Sequence, residues 1–249
     1  MSTYPTELKN PPIIESIIEI KFNSSLPNEA VFGVFYEKLK DRYDDIEQLN
    51  TANLPKQILD EQPELKFAPH YNLKSEGKPL NVLIGPKVII FKYQKYNKDV
   101  ENEYPGWNKY LYTEIIEILS TITEAGYIKE ILRVGLRTID FVEDEIFSHL
   151  NIDISMSNRE LKNVAKSFRF QIKENDFNNT IAISNNSSLI KNGTPHNGST
   201  IDVDTSKEES ITTDIEEYLK AVIKEGHETN KSLFFELLKE EYIAKLKEE

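Results

Sequence analysis

Only five arginines occur in this chain, and two of them share a face of one strand. In ILRVGLRTIDFV (131–142), Arg133, Gly135, Arg137, Ile139 and Phe141 have the same parity, so extended backbone projects them to one side. A second run, PIIESIIEIKFN (12–23), alternates in the same way. Ile14, Ile18, Ile20 and Phe22 form its apolar face, and Glu15, Glu19 and Lys21 its polar face. If these two strands lie side by side, Glu15 or Glu19 can pair with Arg133 or Arg137 across the ladder. The chemical reading is an anion or phosphate-ester cleft with arginine as a bidentate clamp. The plainer reading, favoured by how common such pairs are, is a set of cross-strand ion pairs on an exposed sheet face.

Other chemistry-bearing residues are weaker signals. Asp202 and Asp204 in TIDVDT project to the same side and resemble a D-x-D magnesium pair, but no third acidic ligand is identifiable. His70, His149, His196 and His227 are far apart and form no H-x-x-x-H or H-E-x-x-H pair. His227 follows Gly226, where it reads as a cap on the carbonyls of a helix end; His196 reads as a loop residue. No nucleophile elbow, Walker A loop or G-x-G-x-x-G is present. Tyr93, Tyr96, Tyr104, Trp107, Tyr110 and Tyr112 are interleaved with Lys87, Lys92, Lys95 and Lys98. Such a stretch can stack and track single-stranded nucleic acid. It can equally serve as a protein-binding patch at Tyr104, Trp107 and Tyr110, or its aromatics can be core anchors.

The elements that must position these residues follow from period and punctuation. After the strand at 12–23, Pro27 opens a helix that ends near Tyr43. Residues 44–63 read as a long polar loop. Strands are expected at 64–71, 80–84 and 87–95, the last two joined at Gly85-Pro86. Trp107, Tyr110, Leu111, Ile115, Ile118, Leu119 and Ile122 form a helical stripe capped by Gly126. The longest strand, 128–142, follows. Beyond it the expectation is a short helical piece at 144–150 and strands at 167–174, 179–184 and 200–204. Asn- and Ser-rich turns fill 185–199. A helix with a Thr213–Glu216 capping box ends at Gly226, and a final helix covers about 230–247.

The fold expected is α+β, in two pseudo-repeated halves of strand, helix, antiparallel meander and long helix, with the helices on one face of the sheet. We place the halves at 1–142 and 143–249, packed as one unit.

Composition narrows the function classes. The chain has 249 residues and a net charge of −12, from 30 basic and 42 acidic side chains, which argues against a duplex nucleic-acid binder. Cysteine is absent, so thiol catalysis, disulfides and cysteine-based metal sites are excluded. The polar N-terminus has no secretory h-region and no apolar run reaches membrane-spanning length, so a cytoplasmic protein is expected. Abundant asparagine and a large excess of lysine over arginine point to an AT-rich bacterial genome.

The opening NPPIIESIIEIKF, the segments YPGWNKY…IIEIL and VGLRTIDFV, and the closing H…FFELL…EYI together resemble a sporadically distributed, functionally uncharacterised prokaryotic family of about 250 residues. The resemblance spans nearly the whole chain, apart from 185–199. It implies a bacterial cytoplasmic protein of patchy occurrence, as genes of mobile elements and defence clusters show, and it brings no catalytic residue with it.

The function expected first is therefore a non-enzymatic accessory or regulatory protein of a bacterial system, linked to defence or a mobile element. Its partner would be another protein encoded nearby or a second copy of the chain. One alternative is a ligand-binding or enzymatic domain with an anion cleft between the halves, using Arg133, Arg137, Glu15 and Glu19. Another is an acidic, antitoxin-like inhibitor of a basic enzyme. No cofactor is expected.

Overall fold

A computed structural model of the chain describes residues 4–5, 8–97, 100–101, 103–153, 155–160, 167–191 and 193–248. Strand β1, Ile13–Ser24, carries the alternation read from its sequence: Ser16, Ile18, Ile20 and Phe22 are buried, while Glu15, Glu19 and Lys21 point the other way. Helix α1, Asn28–Leu39, follows Pro27 and buries Val31, Phe35 and Leu39. Each such fully buried apolar side chain contributes roughly 1.5–3 kcal/mol.

The segment expected as a loop holds β2, Asp45–Gln48, a 3-10 turn at Asn50–Asn53 and helix α2, Lys56–Glu61. All four β2 residues are exposed, so no apolar alternation announces the strand. The strand expected at 64–71 is instead a 3-10 turn, Pro63–Phe67, followed by β3, Tyr71–Lys74. Pro63 fixes a helical φ and offers no amide for a ladder. Strands β4, Leu80–Gly85, and β5, Val88–Gln94, form the hairpin expected at Gly85-Pro86. Two short strands follow, β6, Tyr96–Asn97, and β7, Val100–Glu101.

A π-helical turn, Trp107–Leu111, runs into α3, Tyr112–Thr123, and together they carry the predicted apolar stripe. Gly126, at φ 72°, takes the left-handed conformation after the helix. Strand β8, Ile128–Val142, matches its sequence reading. Then come a 3-10 turn at Phe147–His149, the small ladder of β9, Ser155–Met156, with β10, Arg159–Glu160, and strand β11, Ser167–Glu174.

Strands β12, Phe177–Lys191, and β13, Thr194–Ile211, replace the expected turns at 185–199 with a long hairpin. It stays in register from Ser187–Gly198 to Lys191–Thr194, past a bulge at Ser184–Ser187. Its outer ladder extends beyond the core, so its Asn-, Ser- and Gly-rich sequence, with Ile190 left exposed, reads as turn. His196 lies on this strand, 3.2 Å from Glu143, and not in a loop.

Helix α4, Ile215–Glu236, runs unbroken through Gly226 and His227, and α5, Glu240–Glu248, ends the chain. The Thr213–Glu216 capping box does not form. Asp214 precedes the helix at φ 48°, and Glu216 instead accepts from Ser120 Oγ at 2.7 Å. Gly226 does not end the helix. A Cβ there would lie 2.6 Å from Leu136 Cδ1, so the glycine lets α4 approach β8 closely.

Nine strands form one antiparallel sheet in the order β11-β12-β13-β8-β1-β5-β4-β3-β2, which makes the fold α+β. Strands β1 and β8, the two marked in the sequence, are neighbours at its centre. One core cluster joins these strands to α1, α3 and the first half of α4; a second joins β12 and β13 to the end of α4 and to α5. No helix among the described residues is long and apolar enough to cross a membrane.

Candidate functional site

The register of β1 against β8 sets Lys21 opposite Arg133, Glu19 opposite Gly135 and Ile17 opposite Arg137. Arg133 Nη1 donates to Glu19 Oε1 at 2.6 Å. A Cβ on Gly135 would fall 2.4 Å from that Nη1, so the guanidinium lies over the bare glycine. Arg137 donates through Nε and Nη2 to the two oxygens of Asp202, at 2.8 and 2.6 Å. Glu15 pairs with Lys92 at 2.6 Å, and Asp204 lies 3.7 Å from Arg133 Nη2.

The structure thus brings Glu19 to Arg133, while Glu15 and Arg137 find other partners. Each arginine fork already faces a carboxylate of its own chain. Asp202 and Asp204 serve as arginine acceptors, and no group of three His, Asp or Glu among the described residues is placed to hold a metal.

A different arrangement lies on the other face of β8. The alternation that buries Val134 and Leu136 carries on to Thr138 and Asp140, which face a cavity of about 230 Å³. Helix α4 closes one side with His227, Asn230, Phe234 and Phe235. Tyr104 and Trp107 come from the segment before α3, and Pro11 and Pro12 from the lead into β1.

Local sequence explains why these elements meet. Gly226 sets the closeness of α4 to β8. Buried Asn230 then pins the helix: its Nδ2 donates to Val203 O at 2.8 Å and Thr205 Oγ1 at 3.2 Å, and its Oδ1 accepts from Thr138 Oγ1 at 2.8 Å. The His227 ring lies flat on Trp107, with centroids 3.9 Å apart and planes 8° apart. Prolines 11 and 12 precede a register shift between Ile13 and Glu15, and Pro12 O accepts from the Phe141 amide at 2.9 Å.

Neither a family model nor a curated protein matches this sequence. The site is therefore read from its own chemistry.

Asp140 is 3% exposed and lines the cavity. Burial, with the charge of Asp202, pushes it up to about 8, so it is protonated at neutral pH. Burial, with the charge of Lys231, takes His227 down to about 3, so its imidazole is neutral. Tyr104 is pushed above the usual phenol range by burial and by Asp140. Among the described residues, the other charged side chains lining the cavity are Lys9, Lys109 and Lys231.

Several sequence readings change here. Trp107 is 9% exposed and stacked, and Tyr93 is fully buried, so the aromatic stretch is no open platform for nucleic acid. Tyr104 and Trp107 line the cavity; Tyr110 packs against the core beside Glu114 instead. Lys98 lies outside the described residues. His227 caps no helix end, since it sits inside α4. Asp140 escaped the sequence reading, although a signal existed: it has the parity of Val134 and Leu136, an acid on the apolar face of a strand.

Proposed function

We propose that this protein is a small-molecule-binding module, with its ligand in the cavity between β8, α4 and the Tyr104–Trp107 segment. One observation carries the reading. Asp140, buried, and His227, half-buried, are ionisable groups from two different elements that line one apolar-walled cavity. Concave apolar sites with a few convergent polar groups are the usual form of a ligand pocket.

The family resemblance supports giving this module an accessory or regulatory role in a bacterial, defence- or mobile-element-linked system, with a protein encoded nearby as its partner. The strand order supports a duplicated architecture. Strands β5-β4-β3 extend from β1 as β13-β12-β11 extend from β8. On this reading the cavity lies between the halves, as the ligand-binding alternative requires, but on the face opposite Arg133 and Arg137.

Native mass spectrometry of the protein isolated from its own host at low salt tests this. The wild type is expected to retain a non-covalent mass of a few hundred daltons that Asp140→Leu lacks. A bare wild-type mass, or the same adduct on both proteins, overturns the reading.

A further inference from the structure

The cavity's chemistry narrows its ligand, on the condition that the pocket reading above holds. Size comes first. A cavity of about 150 Å³ takes benzene, so one of about 230 Å³ suits a bicyclic ring. Its walls fit a flat one: Trp107, Phe234, Phe235, Pro11 and Pro12 are apolar and conformationally stiff.

Polarity comes next. A neutral carboxyl presents one O–H donor beside one carbonyl acceptor. The matching edge is an amino group next to an unprotonated ring nitrogen. The ring nitrogen accepts from the Asp140 hydroxyl while the amino group donates to its carbonyl. A guanine-type edge offers two donors and calls for an ionised carboxylate, which burial at Asp140 disfavours.

Charge comes last. On a chain of net charge −12, the described residues lining the cavity include Lys9, Lys109 and Lys231, and Asp140 is the only acid among those described residues. Lys9 and Lys109 are exposed and Lys231 half-buried, so an anionic substituent reaching the mouth meets cations.

We infer that the cavity binds an adenine mononucleotide, with the amino edge of the ring on Asp140 and the phosphate on Lys9, Lys109 and Lys231. Neutral His227 is left to exchange a hydrogen bond with the ring or the sugar.

Trp107 is the only tryptophan in the chain and lines the cavity, so its emission reports occupancy. The test titrates the full chain with AMP, GMP, adenosine, inorganic phosphate and indole. AMP is expected to change the emission saturably, with adenosine and GMP at least about tenfold weaker. AMP affinity falls as pH rises through about 8, where Asp140 ionises. Asp140→Asn keeps a donor and an acceptor and retains binding within a few-fold. Asp140→Leu loses it, with an unchanged circular dichroism spectrum as the check on folding. Lys231→Glu brings AMP down to the level of adenosine and leaves adenosine itself unaffected.

GMP or inorganic phosphate binding as tightly as AMP overturns the adenine assignment and leaves the pocket standing. A response to indole alone does the same. Silence of Trp107 toward all five probes overturns the nucleotide assignment, and the pocket reading then stands or falls on the retained mass described above.

Discussion

His227 Cβ leaves helix α4 so that its imidazole lies parallel to the Trp107 indole at 3.9 Å, joining the last long helix to the turn that starts α3. This contact links two elements 120 residues apart in the chain and forms one wall of the cavity. Between about pH 3 and 6.5 the ring is neutral in the folded chain and charged in the unfolded one.

The first prediction concerns acid. The folded His227 titrates near 3 and the unfolded one near 6.5. Its contribution to stability is thus present above pH 6.5 and is lost as pH falls toward 3, because the unfolded chain binds the proton first. His227→Phe keeps the stack and removes that dependence. Urea unfolding from pH 7 to 4 is expected to show a shallower loss for the variant than for the wild type. Equal slopes would contradict it.

Asp140 works in the opposite direction. Its pKa rises from 3.8 to about 8 on folding, so stability is greatest below pH 4 and declines as pH rises toward 8. At pH 7 the difference amounts to at most about 4 kcal/mol, at 1.36 kcal/mol per pH unit. Asp140→Asn is expected to raise the melting temperature at pH 7–8 and to leave it little changed near pH 4. A variant less stable than wild type at pH 8 would sink this account.

Helix α4 depends on Gly226. Alanine gains about 1 kcal/mol in helix propensity, but its Cβ would meet Leu136 at 2.6 Å and Phe177 at 3.3 Å. Overpacking of this kind costs about 1–3 kcal/mol. Gly226→Ala is expected to be net destabilising in urea, and Gly226→Val more so. A stabilised alanine variant would show that α4 does not sit this close to β8.

The sheet's charged face makes a contrasting prediction. Arg137, 44% exposed at its side chain, pairs with Asp202 outside the cavity. Such pairs contribute about 1 kcal/mol or less. Arg137→Ala is expected to change stability within that range and to leave the Trp107 response to ligand intact. Loss of that response would move the binding site to the arginine face.

Much of the scaffold was legible because its signals are local. Isoleucine alternation marked β1, and an apolar stripe marked α3. β8 was legible in extent, because apolar and β-branched residues recur from Ile128 to Val142 between Gly126 and the acidic run after it, although the parity of its apolar residues changes along the strand. Features that depend on distant partners were not legible. Gly226 read as a helix end because its close approach to Leu136 is set by the sheet, as are the bonds of Asn230 to Val203 and Thr205. The 187–198 ladder read as turns because it leaves the core, and polar residues then carry no period. The arginine pairing was legible as a cross-strand contact, yet its carboxylate partners on β13 and the lysine on β5 were not. Asp140 was legible only as a break in parity, and its meaning came from the helix that covers it.

Crystallography of the protein purified from its own host at low salt tests the central claim most directly. The account predicts non-protein density in the cavity, within hydrogen-bonding distance of both Asp140 and His227. A cavity closed by its own side chains, or holding ordered water alone, would contradict it.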